Sequence, residues 1–175
     1  MSKRIAIVSL VIILALVNWQ IFKKEKHLAD GKVVYLHLAP VDPRSLMQGD
    51  YMALRFRLAQ EISDALKEKN DREKQPEYLT ATDDYVVVSL DLHNVGSYKD
   101  LYAAQPLAQN EILLHYRVRN GEVKLATNGY FFQEGHGEYY QAAQYGQFRV
   151  DDKGELLLTA MCDSDLKILG PPDTQ

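Results

Sequence analysis

A single cysteine, Cys162, stands among the 175 residues. An intrachain disulfide is therefore excluded and stability must come from packing, with only an intermolecular bridge left open. Cys162 itself reads as a small buried hydrophobe. Basic charge is not in surplus: the net charge is −4 and the pI about 5.7. No basic stripe survives beyond residues 23–32, which argues against nucleic acid as a partner. Repeats and low-complexity tracts are missing too, so solenoids and arrays drop out. One long stretch, finally, lacks charge altogether.

That stretch begins at Ile5 and ends at Phe22, preceded by Lys3 and Arg4 and followed by Lys23, Lys24 and Lys26. Eighteen helical residues span roughly 27 Å, close to the approximately 30 Å hydrocarbon core of a bilayer. Trp19 suits an interfacial position near one edge. The rival reading is a cleaved secretory signal, but Val17, Asn18, Trp19 and Gln20 occupy the place where small residues should precede the cut. The stretch reads as an uncleaved anchor contacting the lipid bilayer. Its following lysines suit anionic headgroups. The Lys and Arg count does not fix orientation. The short cationic tail does, because moving it across the membrane potential is costly. This predicts an inner-membrane protein with a cytoplasmic amino terminus and a periplasmic domain.

Roughly 145 residues remain, enough for one domain and too few for two. Period-two alternation dominates them. It predicts strands over 33–38, 51–58, 85–92, 98–104, 111–118, 122–132, 148–150 and 156–161, and a short surface helix over 59–69. Residues 70–84 read as an exposed loop, and 138–145 carry helical character. Turn chemistry places hairpins at His93 to Ser97, at Asn120-Gly121 and at Asp151 to Gly154. The fold class is mainly β: an antiparallel sandwich-like or partly closed barrel domain with one or two short helices, preceded by a single transmembrane helix. In segments, 1–4 form a cytoplasmic tail, 5–22 the anchor, 23–31 a juxtamembrane linker, 32–169 one β-rich domain and 170–175 a disordered tail.

Two segments stand apart from the alternation. The first contains Asp42, Pro43, Arg44 and then Gly49-Asp50-Tyr51-Met52-Ala53-Leu54-Arg55-Phe56; the second is Gly129-Tyr130-Phe131-Phe132-Gln133-Glu134-Gly135. The pair resembles the GDYXXLXY family, with Phe56 replacing the final Tyr of its Gly-Asp-Tyr-x-x-Leu-x-Tyr motif and Gln133 at a place where proline is common. What the resemblance implies is a membrane-anchored protein with no assigned activity, often accompanied by a multi-spanning membrane protein. Read physically, Pro40 and Pro43 fix backbone angles and Gly49 permits a turn before a strand. Leu54 and Phe56 share one parity and point inward, whereas Tyr51 and Arg55 share the other. A binding reading would gather Asp42, Arg44, Asp50 and Tyr51 with Tyr130, Glu134 and His136 in one polar cluster at the rim of the domain.

Enzymatic readings are weaker. Ser45 after an anchor superficially resembles signal peptidases, yet no lysine sits in an apolar strand where burial could lower its pKa. Asp91-x-His93 and Glu134-x-His136-x-Glu138 match no known metal-ligand spacing, and solvated turns account for them. No catalytic residue, metal or cofactor is therefore assigned. The chain reads as a non-catalytic periplasmic interaction or accessory module for a multi-spanning membrane protein. The alternative is an envelope hydrolase or ligand-binding protein acting through Asp50, Glu134 and His136.

Overall fold

A computed structural model describes residues 2–39, 47–48, 51–74 and 79–172. Helix α1 (Ser2–Asp30) takes in the whole uncharged stretch and continues through the lysines after it. It is long and apolar enough to cross a membrane, and none of its apolar window is buried against the protein. Ile5, Ile12, Leu16 and Trp19 are each more than half exposed. A single residue, Gly31, separates α1 from β1 (Lys32–His37). This joint is locked: the His27 ring Nε2 lies 2.9 Å from the Arg149 carbonyl oxygen, and the Arg149 guanidinium donates back to the Gly31 carbonyl at 3.0 Å. His27 is buried as a result.

Beyond the joint the chain is mainly β. Its large sheet has seven strands in the order β10-β9-β1-β5-β4-β6-β7, curled into a half-barrel. The members are β1, β4 (Thr82–Leu90), β5 (Val95–Leu101), β6 (Glu111–Arg119), β7 (Glu122–Lys124), β9 (Tyr145–Val150) and β10 (Leu156–Cys162). Neighbours run antiparallel except β1 and β5, which are parallel. Alternate side chains enter the concavity. Val34, Leu36, Val86, Val88, Leu114, Tyr116, Val118 and Phe148 are almost wholly removed from solvent. Each such side chain contributes about 1.5–3 kcal/mol of apolar transfer free energy. Cys162 is buried as well, and burial pushes its thiol up to about 11.

A smaller sheet, ordered β2-β3-β8, comprises β2 (Met47–Gln48), β3 (Tyr51–Ala53) and β8 (Gly129–Phe131). The strand expected over 51–58 stops at Ala53, and α2 (Arg57–Arg72) begins four residues later. Leu58 therefore belongs to the helix, where it and Ile62, one turn on, form the buried stripe. The mistake has a cause: Met52, Leu54, Phe56 and Leu58 are all buried, so the parity of a strand runs on unbroken into the helix. The loop expected over 70–84 is likewise shorter, since α2 reaches Arg72 and β4 starts at Thr82. The strand expected over 122–132 divides between the two sheets as β7 and β8, with buried Leu125 and a Thr127 turn between them.

The half-barrel nearly closes where the β9–β10 turn meets β6. The His115 backbone N–H donates to the Gly154 carbonyl at 2.8 Å, and His115 Nδ1 lies 2.9 Å from Glu155 Oε1. Gly154 has φ +76°, and a Cβ there would lie 2.8 Å from the Leu113 carbonyl oxygen. Only glycine meets both demands without strain.

Candidate functional site

The two segments singled out in the sequence are hydrogen-bonded neighbours. Strands β3 and β8 pair antiparallel, with Tyr51 opposite Phe131, Met52 opposite Tyr130 and Ala53 opposite Gly129. Directly opposed residues on one face interact, and the Tyr51 and Phe131 rings lie 5.7 Å apart. On the other face Met52 is fully buried. The Leu54 backbone N–H donates to the Asn128 carbonyl at 2.7 Å, extending the contact beyond the strand.

Leu54 and Phe56 are inward residues of the core. Phe56 bridges to Leu38 of the β1 segment and sets its ring edge-on to Phe148 at 5.3 Å. The absence of a side chain at Gly146 leaves room for it: a Cβ there would come within 3.1 Å of the Phe56 ring. The second half of the first motif thus fastens the small sheet to the large one. Its first half, at Tyr51, lies beside the surface.

Tyr130 faces inward from β8 and packs edge-on against buried Tyr140, with centroids 5.2 Å apart; Phe132 stacks on the same ring at 5.3 Å. Burial, and then the hydrogen bond with Tyr140, push the Tyr130 hydroxyl up to about 12. Tyr140 ends the 3-10 turn Gly137–Tyr140, where helical character was expected. Phe131 points the opposite way and is 78 % exposed. Glu134 is exposed on the following loop, Gly135 adopts φ +80°, and His136 sets its ring edge-on to Tyr139. Asp42, Arg44, Gly49 and Asp50 lie outside the described residues, and with them three of the seven residues of the proposed polar cluster. Among the described residues no three His, Cys, Asp or Glu side chains converge. Asp91 accepts the backbone N–H groups of His93 and Val95, both at 2.8 Å, which makes its spacing with His93 a turn. His37 lies 4.1 Å from Tyr145, and burial first, then Arg57, holds its imidazole below the usual range.

Two recesses border the motif strands. One, of about 640 Å³, lies between α2 and β7 and is lined by both signs of charge, among them Arg55, Asp64, Lys67, Glu122 and Lys124. The other, of about 430 Å³, runs between β8 and the start of β10. Its walls are Gly129, Tyr130 and Phe131 on one side and Leu156, Leu157 and Leu158 on the other, with Lys24, Arg117 and Glu155 at its rim. Lys24 comes from α1 and Arg117 from β6. Lys24, Arg117 and the Leu156 to Leu158 wall were not foreseen, because four remote segments build the groove and no local spacing announces it. Its one sequence signal is Phe131, an aromatic at an outward parity.

A family model described as GDYXXLXY protein matches residues 13–161. No curated protein and no solved structure matches the chain.

Proposed function

Because this chain belongs to the GDYXXLXY family, we propose that it serves as a tethered, non-catalytic envelope module that presents its motif sheet to a multi-spanning protein in the same membrane. The observation that carries this reading is the pairing of the two motif segments into one small sheet with the Phe131 ring outermost. An exposed aromatic beside a tyrosine on a rigid strand pair has the composition of an interface anchor. Lys24, just past the uncharged stretch of α1, lines the same groove as Phe131. The sheet therefore lies near the foot of the anchor, within reach of a neighbour in the bilayer. Residues 5–22 are the membrane span, the amino terminus is cytoplasmic and the β domain is periplasmic. The alternative, a hydrolase or ligand-binding protein acting through Asp50, Glu134 and His136, has less behind it. Glu134 is exposed on its loop and His136 packs against Tyr139.

Affinity purification of the full chain from membranes in mild detergent tests the reading. One stoichiometric integral membrane partner is expected, and Phe131→Ser releases it while thermal unfolding stays unchanged. Recovery of no partner across several detergents overturns the proposal. Protease treatment of spheroplasts, read with an antibody to the carboxyl end, tests the compartment; protection of the domain there would overturn the periplasmic assignment.

A further inference from the structure

We infer that the groove between β8 and β10 holds the phosphate of an anionic phospholipid, and that this headgroup clamps the β domain against the surface of the bilayer. Height comes first. Lys24 is the second residue after Phe22, so at about 1.5 Å per residue its backbone lies within about 3 Å of the end of the uncharged stretch. A groove lined by Lys24 opens at the level of the headgroups if residues 5–22 fill the hydrocarbon core.

Charge comes second. The two cations at the rim, Lys24 and Arg117, are exposed and have no ion-pair partner among the described residues. The one carboxylate on its lining among the described residues, Glu155, has His115 Nδ1 at 2.9 Å and leaves the two cations in the majority. The neighbouring recess at the foot of α1, which shares Lys24 and Glu155, differs: its four lysines, Lys23, Lys24, Lys26 and Lys153, meet four carboxylates, Asp30, Asp151, Asp152 and Glu155. The β8–β10 groove is thus the one of the two that favours an anion. A guanidinium presents a planar fork that matches phosphate oxygens, and an ammonium adds a point charge.

Apolar surface comes third. Phe131 at the mouth is 78 % exposed, and Leu157 and Leu158 are only partly covered. Among glycerol backbones and upper acyl chains such a ring is at home, whereas in water it is not. A lipid bound here also has its acyl chains alongside α1, whose apolar window none of the described residues covers.

The inference rests on insertion of α1, which belongs to the reading above, and not on a protein partner. The full chain, carrying Trp19→Phe and Phe131→Trp, is reconstituted in nanodiscs of brominated phosphatidylcholine with or without brominated phosphatidylglycerol. Resistance of the chain to carbonate extraction from membranes is established first; release there sinks the anchor reading instead. With phosphatidylglycerol present, tryptophan emission at position 131 is expected to shift to the blue and to be quenched. Arg117→Gln or Lys24→Gln should each weaken docking by about fivefold, and Arg117→Lys should largely restore it. Both cations are exposed, so unchanged thermal unfolding shows that the fold persists. Equal quenching with and without phosphatidylglycerol overturns the proposal, as does indifference to both substitutions. Reversal of docking by millimolar inorganic phosphate would assign the groove to a free anion. Quenching that appears only in discs holding two chains would assign it to a second copy.

Discussion

The two sheets of this molecule are built to different standards. In the seven-stranded sheet, residues of six long strands meet in one buried interior, and Val34, Leu36, Val86, Val88, Leu114 and Phe148 are almost wholly buried. The three-stranded sheet has strands of two or three residues, buries Met52 fully and leaves Phe131 in the open. Short strands alone are marginal in water. The small sheet persists because Leu54 and Phe56 reach from it into the core of the large one. One sheet supplies stability, and the other holds an exposed surface that stability does not explain.

The contrast is sharpest at Phe148. Phe148→Ala should cost about 3–5 kcal/mol through lost burial and a cavity, measured by urea unfolding of the full chain in detergent. A loss below about 1 kcal/mol would mean that the large sheet is not the stabilising body. Gly154→Ala comes next. Its φ of +76° and the 2.8 Å approach to the Leu113 carbonyl predict about 1–3 kcal/mol of destabilisation, with faster amide exchange at His115 as the closure loosens. Alkaline titration bears on both sheets, since burial raises Tyr116 in the large sheet and Tyr130 in the small one to about 12. Groups with raised folded values contribute stability that is complete below the ordinary tyrosine value of about 10 and is lost as pH climbs toward 12. Tyrosinate absorbance should show these two ionising together with unfolding, and Tyr116→Phe should move the alkaline midpoint upward. Smallest is Phe131→Ser, expected to change stability by less than about 0.5 kcal/mol; a larger loss would make Phe131 a structural residue and erase the distinction.

The large sheet was the more legible of the two. Strands β1 and β6 alternate in burial because one face of each points into the core, whereas β4 buries Val86, Val87 and Val88 in succession; the Asn120-Gly121 turn follows β6 directly, with both residues at positive φ. The parallel contact of β1 with β5 was not legible, because it joins segments with two strands, a helix and a hairpin arm between them. In the motif region parity misled: Leu54, Phe56 and Leu58 are buried on one side whether the backbone is strand, bridge or helix. Leu125 misled in the same way, since a buried residue at a corner between two sheets keeps the pattern of one continuous strand. The inward role of Leu54 and Phe56 and the outward placement of Tyr51 followed from parity alone. The adjacency of the two motifs did not, because pairing between remote strands leaves no local mark. The groove was the least visible part, needing Lys24, Arg117, Phe131 and Leu157 to be brought together by folding.

The joint at Gly31 gives α1 a steering role. With His27 and Arg149 fastening the helix to β9, any rotation of α1 about its axis is passed to the β domain as a turn of the same size. One alanine inserted within α1 would swing the domain by about 100° relative to the part of the helix before it. The domain therefore behaves less like a buoy on a rope than like a vane on a spindle, its heading set by the helix that carries it.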